Sequence, residues 1–451
     1  LSGSMGSANQ DYVGGIAGLN VGGKNTQSKT YDNKTYQAGT ITACSTQTSR
    51  TVTGGNTVGG IVGYNLQGGT VQDNQSSANV TGTSRVGGIA GENGGTVSLA
   101  GNTAKNTRTI AGSGQGVGGI LGVNTATGQL TTGTTTGDAV VTDQHLTVTG
   151  QSKVGGIAGI NRGRLGGTEG HSLTNDAKLV RATQGLAGGV VGAQEGTKIT
   201  VLSYAKNLGE VIANKGAAGG IVGQNGEGRQ VQHCVNAGNV TSNNGYAGGV
   251  VSENYGTITG CSVDGTKTVT LTQRGQQAQG AICAVNHTTG TVTGSILTGD
   301  RIDLQGEADT LGAIVGKNTG TVSNTTVTQQ PNYNVSASAL TVGGAVGLNT
   351  EGGTVRNVTV KTNFQNFSNY HYLGGVVGEN ATDLTNENPA KVQGCTYTGT
   401  IDESKSAVGN CYGGIAGLNR GLLDGNTVSQ LTIKAKGVYT ATSTSTAAQK
   451  E

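Results

Sequence analysis

The sequence has no tryptophan and very little proline, phenylalanine or methionine, which number 2, 2 and 1 among 451 residues. Because proline is so scarce and glycine keeps no three-residue period, the chain is not collagen-like. No apolar run reaches the 18 residues that a membrane-spanning helix requires. Charged residues make up 12% of the chain and the net charge is +3, so the composition indicates neither a charged disordered tail nor a nucleic-acid-binding surface.

Glycine, in contrast, is abundant, with 84 residues. Each glycine inside a helix costs about 1 kcal/mol relative to alanine, and the many threonines and asparagines are poor helix formers too. No stretch of the chain sustains the apolar spacing of a helix. The composition therefore predicts an all-β protein whose strands are separated by glycine and asparagine turns.

An octapeptide of the form apolar-Gly-Gly-apolar-apolar-Gly-x-Asn recurs along the chain and indicates a repeat architecture. VGGIAGLN at 13–20 and VGGIVGYN at 58–65 are clear copies, whereas QGAICAVN at 279–286 is a degraded one. Most copies are 28–33 residues apart. The first glycine of the thirteen copies is at Gly14, Gly59, Gly87, Gly118, Gly155, Gly188, Gly219, Gly248, Gly280, Gly312, Gly343, Gly374 and Gly413.

Two further elements follow each octapeptide. The second has the pattern Gly-Thr-apolar-x-x-(Cys/Asn/Ser/Thr), as in GTVQDN at 69–74, and the third is weaker, as in AGNV at 237–240. Three short strands in roughly 31 residues make one coil of a β-solenoid. We predict a right-handed parallel β-solenoid (β-helix) of about 13 coils, because parallel crossovers are right-handed by default. A single solenoid is expected over 12–437, after an N-terminal segment at 1–11 and before a linker or tail at 438–451.

An asparagine ends nearly every octapeptide and is expected to recur at one corner of every coil. Stacked amides can hydrogen-bond along the solenoid as a ladder, and asparagine also tolerates turn conformations. The alternative is a row of ligand contacts, and we favour the structural ladder. Gln194 fills the position once, and the asparagines are Asn20, Asn65, Asn93, Asn124, Asn161, Asn225, Asn254, Asn286, Asn318, Asn349, Asn380 and Asn419.

One aromatic cluster, in the segment NFQNFSNYHYLGG, contains both phenylalanines of the chain. Exposed aromatic side chains stack on sugar rings, so this cluster is a candidate binding patch. The alternative, which we favour, is a satellite core that seals a bulged loop. The candidate residues are Phe364, Phe367, Tyr370 and Tyr372, with His371 between the tyrosines.

Four cysteines occupy one position of the second element: Cys44, Cys234, Cys261 and Cys395. Asparagine, serine or threonine fills this position elsewhere, which favours a slot for small inward side chains. No CxxC pattern or nearby histidine indicates zinc. A disulfide between Cys234 and Cys261 is left open, although directly stacked strand neighbours have poor geometry for one.

The octapeptide carries adjacent apolar residues, such as Ile61 and Val62. Adjacent strand residues point to opposite faces, so this strand either exposes an apolar stripe or contains a bulge or tight corner. An exposed stripe would be a packing surface for self-association. We favour the corner, because the glycine pair comes directly before these residues.

The sequence does not indicate catalysis, a metal or a cofactor, and we predict that this chain is not an enzyme. None of its histidines belongs to the HExxH pattern of a zinc peptidase. The densest carboxylate group, at 300–309, lies between repeats, where solvated loop charges are usual. Threonine-rich runs such as 131–149 keep no strict register, so a flat threonine array is not expected.

The G-(I/V)-(A/V)-G core of the tandem octapeptides resembles the GLUG-type repeat of bacterial surface and secreted proteins, over residues 12 to about 433. This family includes adhesin-like proteins and regions that precede the catalytic domain of zinc IgA peptidases. The resemblance implies an extracellular, non-catalytic segment that acts as an adhesin stalk or binding surface. The alternatives are a subunit of a surface filament or layer, and an accessory solenoid of a secreted zinc peptidase.

The resemblance also frames the expected partners and location. A host or bacterial surface glycan or protein is the expected partner, with self-association through the chain ends or an apolar stripe as a further possibility. Neither nucleic acid binding nor membrane insertion is expected. The chain begins with LSGSMGSANQ, which has no apolar signal-peptide core, so we expect a segment of a longer protein located at the bacterial cell surface or secreted.

Overall fold

The chain forms an all-β parallel solenoid in a computed structural model, which confirms the predicted fold class. It divides into two compact units, Leu1–Asn239 and Val240–Glu451, called here the first and second unit. A bilayer-crossing helix is not found in the part of the chain that the structure describes. The described residues are 12–443 except 22, 25–34, 37–38, 48–49, 100–108, 133–138, 141, 267, 276, 299–300, 330, 336–339, 366–369, 383–384, 404–410 and 436–439.

Within each unit the chain passes through five sets of strands, which we number sheets 1 to 5 in the order in which a repeat visits them. Sheet 1 holds the start of each octapeptide. In the first unit its strands are Val13–Gly14, Val58–Gly59, Val86–Gly87, Gln115–Gly118, Ser152–Gly155, Ala187–Gly188 and Ala218–Gly219. In the second they are Ala247–Gly248, Ala278–Gly280, Thr310–Gly312, Leu340–Gly343, Tyr370–Gly374 and Cys411–Gly413.

Sheet 2 holds the end of each octapeptide, including its asparagine. In the first unit its strands are Ala17–Asn20, Val62–Asn65, Ala90–Asn93, Leu121–Asn124, Ala158–Asn161, Val191–Gln194 and Val222–Asn225. In the second they are Val251–Asn254, Cys283–Asn286, Val315–Asn318, Val346–Asn349, Val377–Asn380 and Ala416–Asn419.

Sheet 3 is the Gly-Thr-apolar element. In the first unit its strands are Thr40–Thr42, Thr70–Gln72, Thr96–Ser98, Gln129–Thr131, Arg164–Gly166, Val201–Ser203 and Gln230–Gln232. In the second they are Thr257–Thr259, Thr291–Thr293, Thr321–Ser323, Thr354–Arg356, Lys391–Gln393 and Leu422–Asp424.

Over the described residues, sheet 4 is not continuous and consists of three separate sheets of two, six and six strands. In the first unit its strands are Ser45–Thr46, Gln75–Ser76, Ala139–Val140, Leu173–Asn175, Ala205–Asn207 and Val235–Asn236. In the second they are Ser262–Asp264, Ile296–Thr298, Thr326–Val327, Thr359–Lys361, Phe364–Gln365, Thr396–Glu403, Thr427–Ala435 and Thr440–Ser443. The last strand, within the predicted tail at 438–451, pairs antiparallel with Thr427–Ala435.

Sheet 5 returns the chain to the next octapeptide. Its strands in the first unit are Thr51–Thr53, Asn79–Gly82, Thr109–Gly112, Thr147–Gly150, Leu179–Ala182 and Glu210–Ala213. In the second unit they are Val240–Ser242, Val269–Gln273, Ile302–Gly306 and Asn332–Val335. Outside the five sheets, Gly23–Lys24 and Thr35–Tyr36 form an antiparallel pair.

A coil therefore contains more strands than the three that the sequence predicted. The octapeptide supplies two strands instead of one because its glycine pair bends the chain, and sheet 4 adds another. The solenoid has about eleven turns, slightly fewer than the thirteen coils predicted. In the described part of the chain, sheets 1, 2 and 3 each have 13 strands, one for every octapeptide, whereas sheet 5 has ten.

Each coil contributes one buried apolar residue from most of its strands, and these stack on the equivalent residues of the neighbouring coil. In one coil of the first unit, Val58, Ile61, Val62, Val71 and Val80 are all fully buried. The strands pair in register, so that Val58 lies beside Val86 and Val71 beside Val97. The core is thus a set of apolar columns, which removes a large apolar area from water at about 25 cal/mol per Å².

The adjacent apolar residues of the octapeptide are both buried, as the corner interpretation predicted. Ile61 and Val62 have no exposed surface, and their two N–H groups donate to one acceptor, the carbonyl oxygen of Ile89, at 3.0 and 2.9 Å. The backbone therefore turns at this point instead of continuing as an alternating strand. In the following coils of the first unit these side chains also line the core, whereas the equivalent Ile16 of the first octapeptide is 45% exposed.

Threonines of the Gly-Thr-apolar element keep a common register in sheet 3. The first residue of successive sheet 3 strands is threonine over several coils, and these residues pair directly across the strands. The Gly-Thr-apolar pattern sets this alignment, and the expectation of no strict register applied to threonine-rich runs such as 131–149. The columns are Thr40, Thr70 and Thr96 in the first unit and Thr257, Thr291, Thr321 and Thr354 in the second.

We expect Gly118→Ala to destabilise the first unit by about 2 kcal/mol or more, as overpacking of a close-packed site does. A Cβ atom at Gly118 would overlap the carbonyl oxygen of Leu121 and lie 2.7 Å from the amide nitrogen of Gly159, and backbone atoms cannot move aside locally. Urea unfolding measures the effect. The matched control is Gly94→Ala, whose nearest neighbour would be the Thr125 hydroxyl at 3.3 Å. Equal losses in both variants would contradict the prediction.

Candidate functional site

The predicted aromatic cluster does not lie on the surface as a unit. Phe364 is only 1% exposed and packs against Tyr397, with ring centroids 6.3 Å apart. Tyr372 is partly exposed, and its ring centroid lies 6.2 Å from that of His371. Phe367 and the side chain of Tyr370 lie outside the described residues. The described part of the cluster therefore combines a core residue, Phe364, with a partly exposed one, and does not form an aromatic platform.

The asparagines that end the octapeptides are hydrogen-bonded to one another from coil to coil. In the first unit the side-chain nitrogen of each residue donates to the amide oxygen of the next, at 2.8–3.2 Å. Gln194 takes part in place of asparagine: it accepts from Asn161 at 3.0 Å and donates to Asn225 at 3.2 Å. We call this chain of amides, from Asn20 to Asn225, the first ladder.

The second unit repeats this arrangement from Asn254 to Asn419, with donor–acceptor distances of 2.8–2.9 Å. The side-chain nitrogens also donate to backbone carbonyls, as Asn286 does to the carbonyl of Gly290 at 3.2 Å. Because most of these amides are fully buried, their hydrogen bonds satisfy groups that would otherwise be costly to remove from water. The amides therefore bond to one another and to the backbone. This is the arrangement expected of a structural ladder and not of a row of ligand contacts.

A second run of amides, in sheet 4 of the first unit, was missed by sequence reasoning. Thr142 donates to Asn175 at 2.7 Å, and the amides continue from Asn175 to Asn207 and from Asn207 to Asn236 at 2.8 and 2.9 Å. The three asparagines are fully buried. Asn236 comes two residues after Cys234 in the chain. A search for asparagine two residues after the cysteine position of each repeat could therefore have revealed this run.

The cysteine position is a buried slot in which side chains bond to nearby backbone groups. Asn74 accepts from the backbone N–H of Cys44 at 2.9 Å, and Asn426 does the same for Cys395. Cys234 donates to the carbonyl of Gln232 at 3.2 Å. All six cysteines are free thiols, so Cys234 and Cys261 form no disulfide. Burial raises the pKa of the Cys395 thiol to about 11, which disfavours a reactive thiolate.

Outside the core, the residue before an octapeptide faces the seventh residue of an octapeptide in two places in the first unit. Arg85 and Glu92 form such a pair, with Nη1 and Oε2 3.4 Å apart. Burial raises the pKa of the Glu92 carboxyl, an effect that nearby Arg85 opposes. Tyr12 stacks on Tyr64 at 5.7 Å in the same row. These outward side chains therefore contact one another in pairs, which shields them from solvent.

The second unit has a related cluster around Tyr255. Its ring stacks on His287, with centroids 3.9 Å apart and planes nearly parallel, and His287 Nε2 lies 3.7 Å from a carboxylate oxygen of Glu253. Tyr246 packs against the buried residues Ala278 and Val285 nearby. Sequence reasoning missed these aromatics because they are spread over separate repeats and meet only when the coils stack.

A surface groove of about 690 Å³ lies on the first unit, beside sheet 3. Thr131, Gly166 and Ser203, which end three successive strands of sheet 3, line it. Residues 198–200, between sheets 2 and 3, form another part of the lining. Gly166 carries no side chain, so the surface recedes between its two hydroxyl-bearing neighbours. Sequence reasoning missed this groove because it depends on which connections lie side by side.

Comparison with protein families, with curated proteins and with solved structures found no match to this chain. The comparisons therefore contribute no inherited active site, ligand or partner.

Replacement of one ladder amide should destabilise the protein far more than replacement of a surface amide. Asn124 accepts from Asn93 and donates to Asn161, both at 2.9 Å, so Asn124→Ala removes one hydrogen-bond partner from each of two buried amides. We expect a loss of about 2 to 4 kcal/mol in the free energy of unfolding. Asn56→Ala, at an exposed residue of the same unit, is the control. A similar small loss in both variants would show that the ladder contributes little.

The Glu92 carboxyl should make stability depend on pH. Because its pKa is raised in the folded state, folded protein holds this proton more tightly than unfolded protein does. Its contribution to stability therefore falls as the pH rises from about 4, the range of an ordinary glutamate, through the raised pKa. Glu92→Gln should flatten this part of the profile and stabilise the protein at neutral pH.

Chemical unfolding of wild type and Glu92→Gln between acidic and neutral pH measures this difference. Glu227→Gln, which removes an exposed negative charge from the same unit, controls for the change in net charge. The idea is abandoned if Glu92→Gln is less stable than wild type at neutral pH, because the pair with Arg85 would then outweigh the effect of burial.

Proposed function

We propose that this chain is a non-catalytic segment of a bacterial cell-surface protein, in which the solenoid acts as a stalk or binding surface. The observation that carries the proposal is the ladder of buried amides within each unit. It adds a side-chain hydrogen bond between successive coils to the backbone bonds of the parallel sheets. This reinforcement runs in the direction in which coils stack, which suits a segment that has to hold its length.

The placement of charged groups supports a non-catalytic role. Asp402 pairs with Lys434 at 3.2 Å, and Asp303 accepts from Asn332 at 2.8 Å. Glu195 lies between Lys153 and Arg162, at 3.2 and 3.0 Å. These carboxylates are paired on the surface with cations or amides, an arrangement that stabilises coils. Among the described residues, no three histidine, cysteine or acidic side chains come together as metal ligands.

The repeat sequence supports the location. The tandem octapeptides resemble GLUG-type repeats of bacterial surface and secreted proteins, and the structure gives a reason for each constant residue. The glycines permit close backbone contact at the corner, and the asparagine supplies the ladder. A solenoid whose coils contact only their neighbours can be lengthened by adding repeats, which is how stalks and display surfaces are built.

Immunogold electron microscopy of the bacterium that makes the protein tests this proposal. An antibody against the purified chain should label intact, unpermeabilised cells on their outer surface. An antibody against a cytoplasmic protein is the control, and should label only after permeabilisation. Labelling by the first antibody that likewise requires permeabilisation would contradict a surface location.

Negative-stain microscopy of the purified chain separates the stalk from a structural subunit of a filament. Isolated particles are expected for a stalk or binding segment. Ordered filaments or sheets formed without any added ligand would overturn the stalk and favour assembly.

A further inference from the structure

The surface groove of the first unit arises from three neighbouring connections of unequal length. Between sheets 2 and 3, successive coils have four, two and six connecting residues, at 125–128, 162–163 and 195–200. The shortest connection lies between two longer ones, so the surface drops at the middle coil. Ala126 lines one side of the depression and Ile199 the other. The groove is therefore a local departure from the repeat and not a feature of every coil.

The groove is electropositive. Arg164 and Lys198 both line it, and no acidic residue belongs to the lining. Each side chain is exposed, and neither forms an ion pair with a carboxylate among the described residues. The nearby acidic residue Glu195 is already paired with Lys153 and Arg162. Two cations facing one depression without a counter-charge favour an anionic occupant.

Hydroxyl groups and apolar surface complete the lining. Thr131, Thr168 and Ser203 supply hydroxyls around the glycines at 166 and 167. Thr200 also lines the groove, and its hydroxyl oxygen is buried without a hydrogen-bond partner in the described part of the chain. Ile199, which is 73% exposed, offers an apolar face beside these polar groups. A ligand with both hydroxyl groups and an apolar face would cover Ile199 and bond to the polar groups beside it.

Position in the fold makes the groove rigid. The backbone N–H of Arg164 donates to the carbonyl of Gly128 at 3.0 Å, and the carbonyl of Arg164 accepts from the ladder amide of Asn124 at 3.2 Å. Leu130 and Leu165, which pair in sheet 3, are 1% exposed and anchor the floor in the core. The backbone of Arg164 is thus held by the ladder, and a fixed backbone reduces the entropy lost on binding.

We propose that this groove binds an acidic sugar residue, in which Arg164 and Lys198 hold the carboxylate and the threonine and serine hydroxyls bond to the ring hydroxyls. The volume of about 690 Å³ lies within the range of ligand pockets and accommodates one or two sugar rings. A small inorganic anion would leave most of the groove and Ile199 unused. The inference depends on the groove alone and holds wherever the protein is located.

Titration of the purified full chain with glucuronic acid and N-acetylneuraminic acid, followed by saturation-transfer NMR and calorimetry, tests the proposal. Glucose and N-acetylmannosamine are the neutral probes. We expect the acidic sugars to bind with dissociation constants in roughly the millimolar range, as single sugars with few contacts do, and the neutral sugars to bind at least about tenfold more weakly. Failure of both acidic sugars to bind, or equal binding of the neutral ones, overturns the proposal.

Variants locate the site. Arg164→Gln and Lys198→Gln should each weaken binding by about tenfold or more, since each removes a charged hydrogen-bonding group, while circular dichroism stays unchanged. Lys178→Gln, at an exposed lysine outside the groove lining, is the matched control and should bind as wild type does. An equal loss in Lys178→Gln and Lys198→Gln would show general charge attraction and would overturn the assignment to the groove.

Discussion

The close approach of backbone to backbone at the octapeptide corner is the constraint on which the rest of the structure depends. A Cβ atom at Gly59 would overlap the carbonyl oxygen of Val62, so only glycine lets the chain bend there. The bend directs the N–H groups of Ile61 and Val62 to a single carbonyl and buries both side chains. It also fixes where the strand that follows begins, and hence where its final asparagine lies. The core and the ladder therefore both originate at this corner.

The ladder in turn selects one register among several that the core would tolerate. Valine, isoleucine and leucine are interchangeable in the apolar columns, and a shift of two residues along a strand keeps every side chain on its own face. Such a shift would separate Asn93 from Asn65 and Asn124 and leave buried amides without partners. In a chain whose repeats are nearly alike, buried polar groups thus specify the alignment that apolar packing alone does not.

The fold and the amide contacts could be predicted from the sequence because they recur with every repeat. Within each octapeptide the asparagine, such as Asn65, Asn93 or Asn124, comes at the same offset from the glycine pair. The same contacts therefore form in every copy. The extra strands could not be predicted, since they arise from a bend whose angle depends on backbone contacts. The groove could not be predicted either, because Arg164 and Lys198 line one depression only through the unequal lengths of connections in adjacent coils. For the aromatic segment, the burial of Phe364 agrees with the favoured satellite core and not with an exposed binding patch, two alternatives that composition alone cannot separate.

The ladder has a direction. Every amide donates toward the coil that follows it in the chain and accepts from the coil before it, from Asn20 onward in the first unit and from Asn254 onward in the second. The amide dipoles within a unit are therefore aligned and polarise one another, as the peptide dipoles of a helix do. Each stack is therefore electrically polar along its own coils, although the net charge of the chain is small.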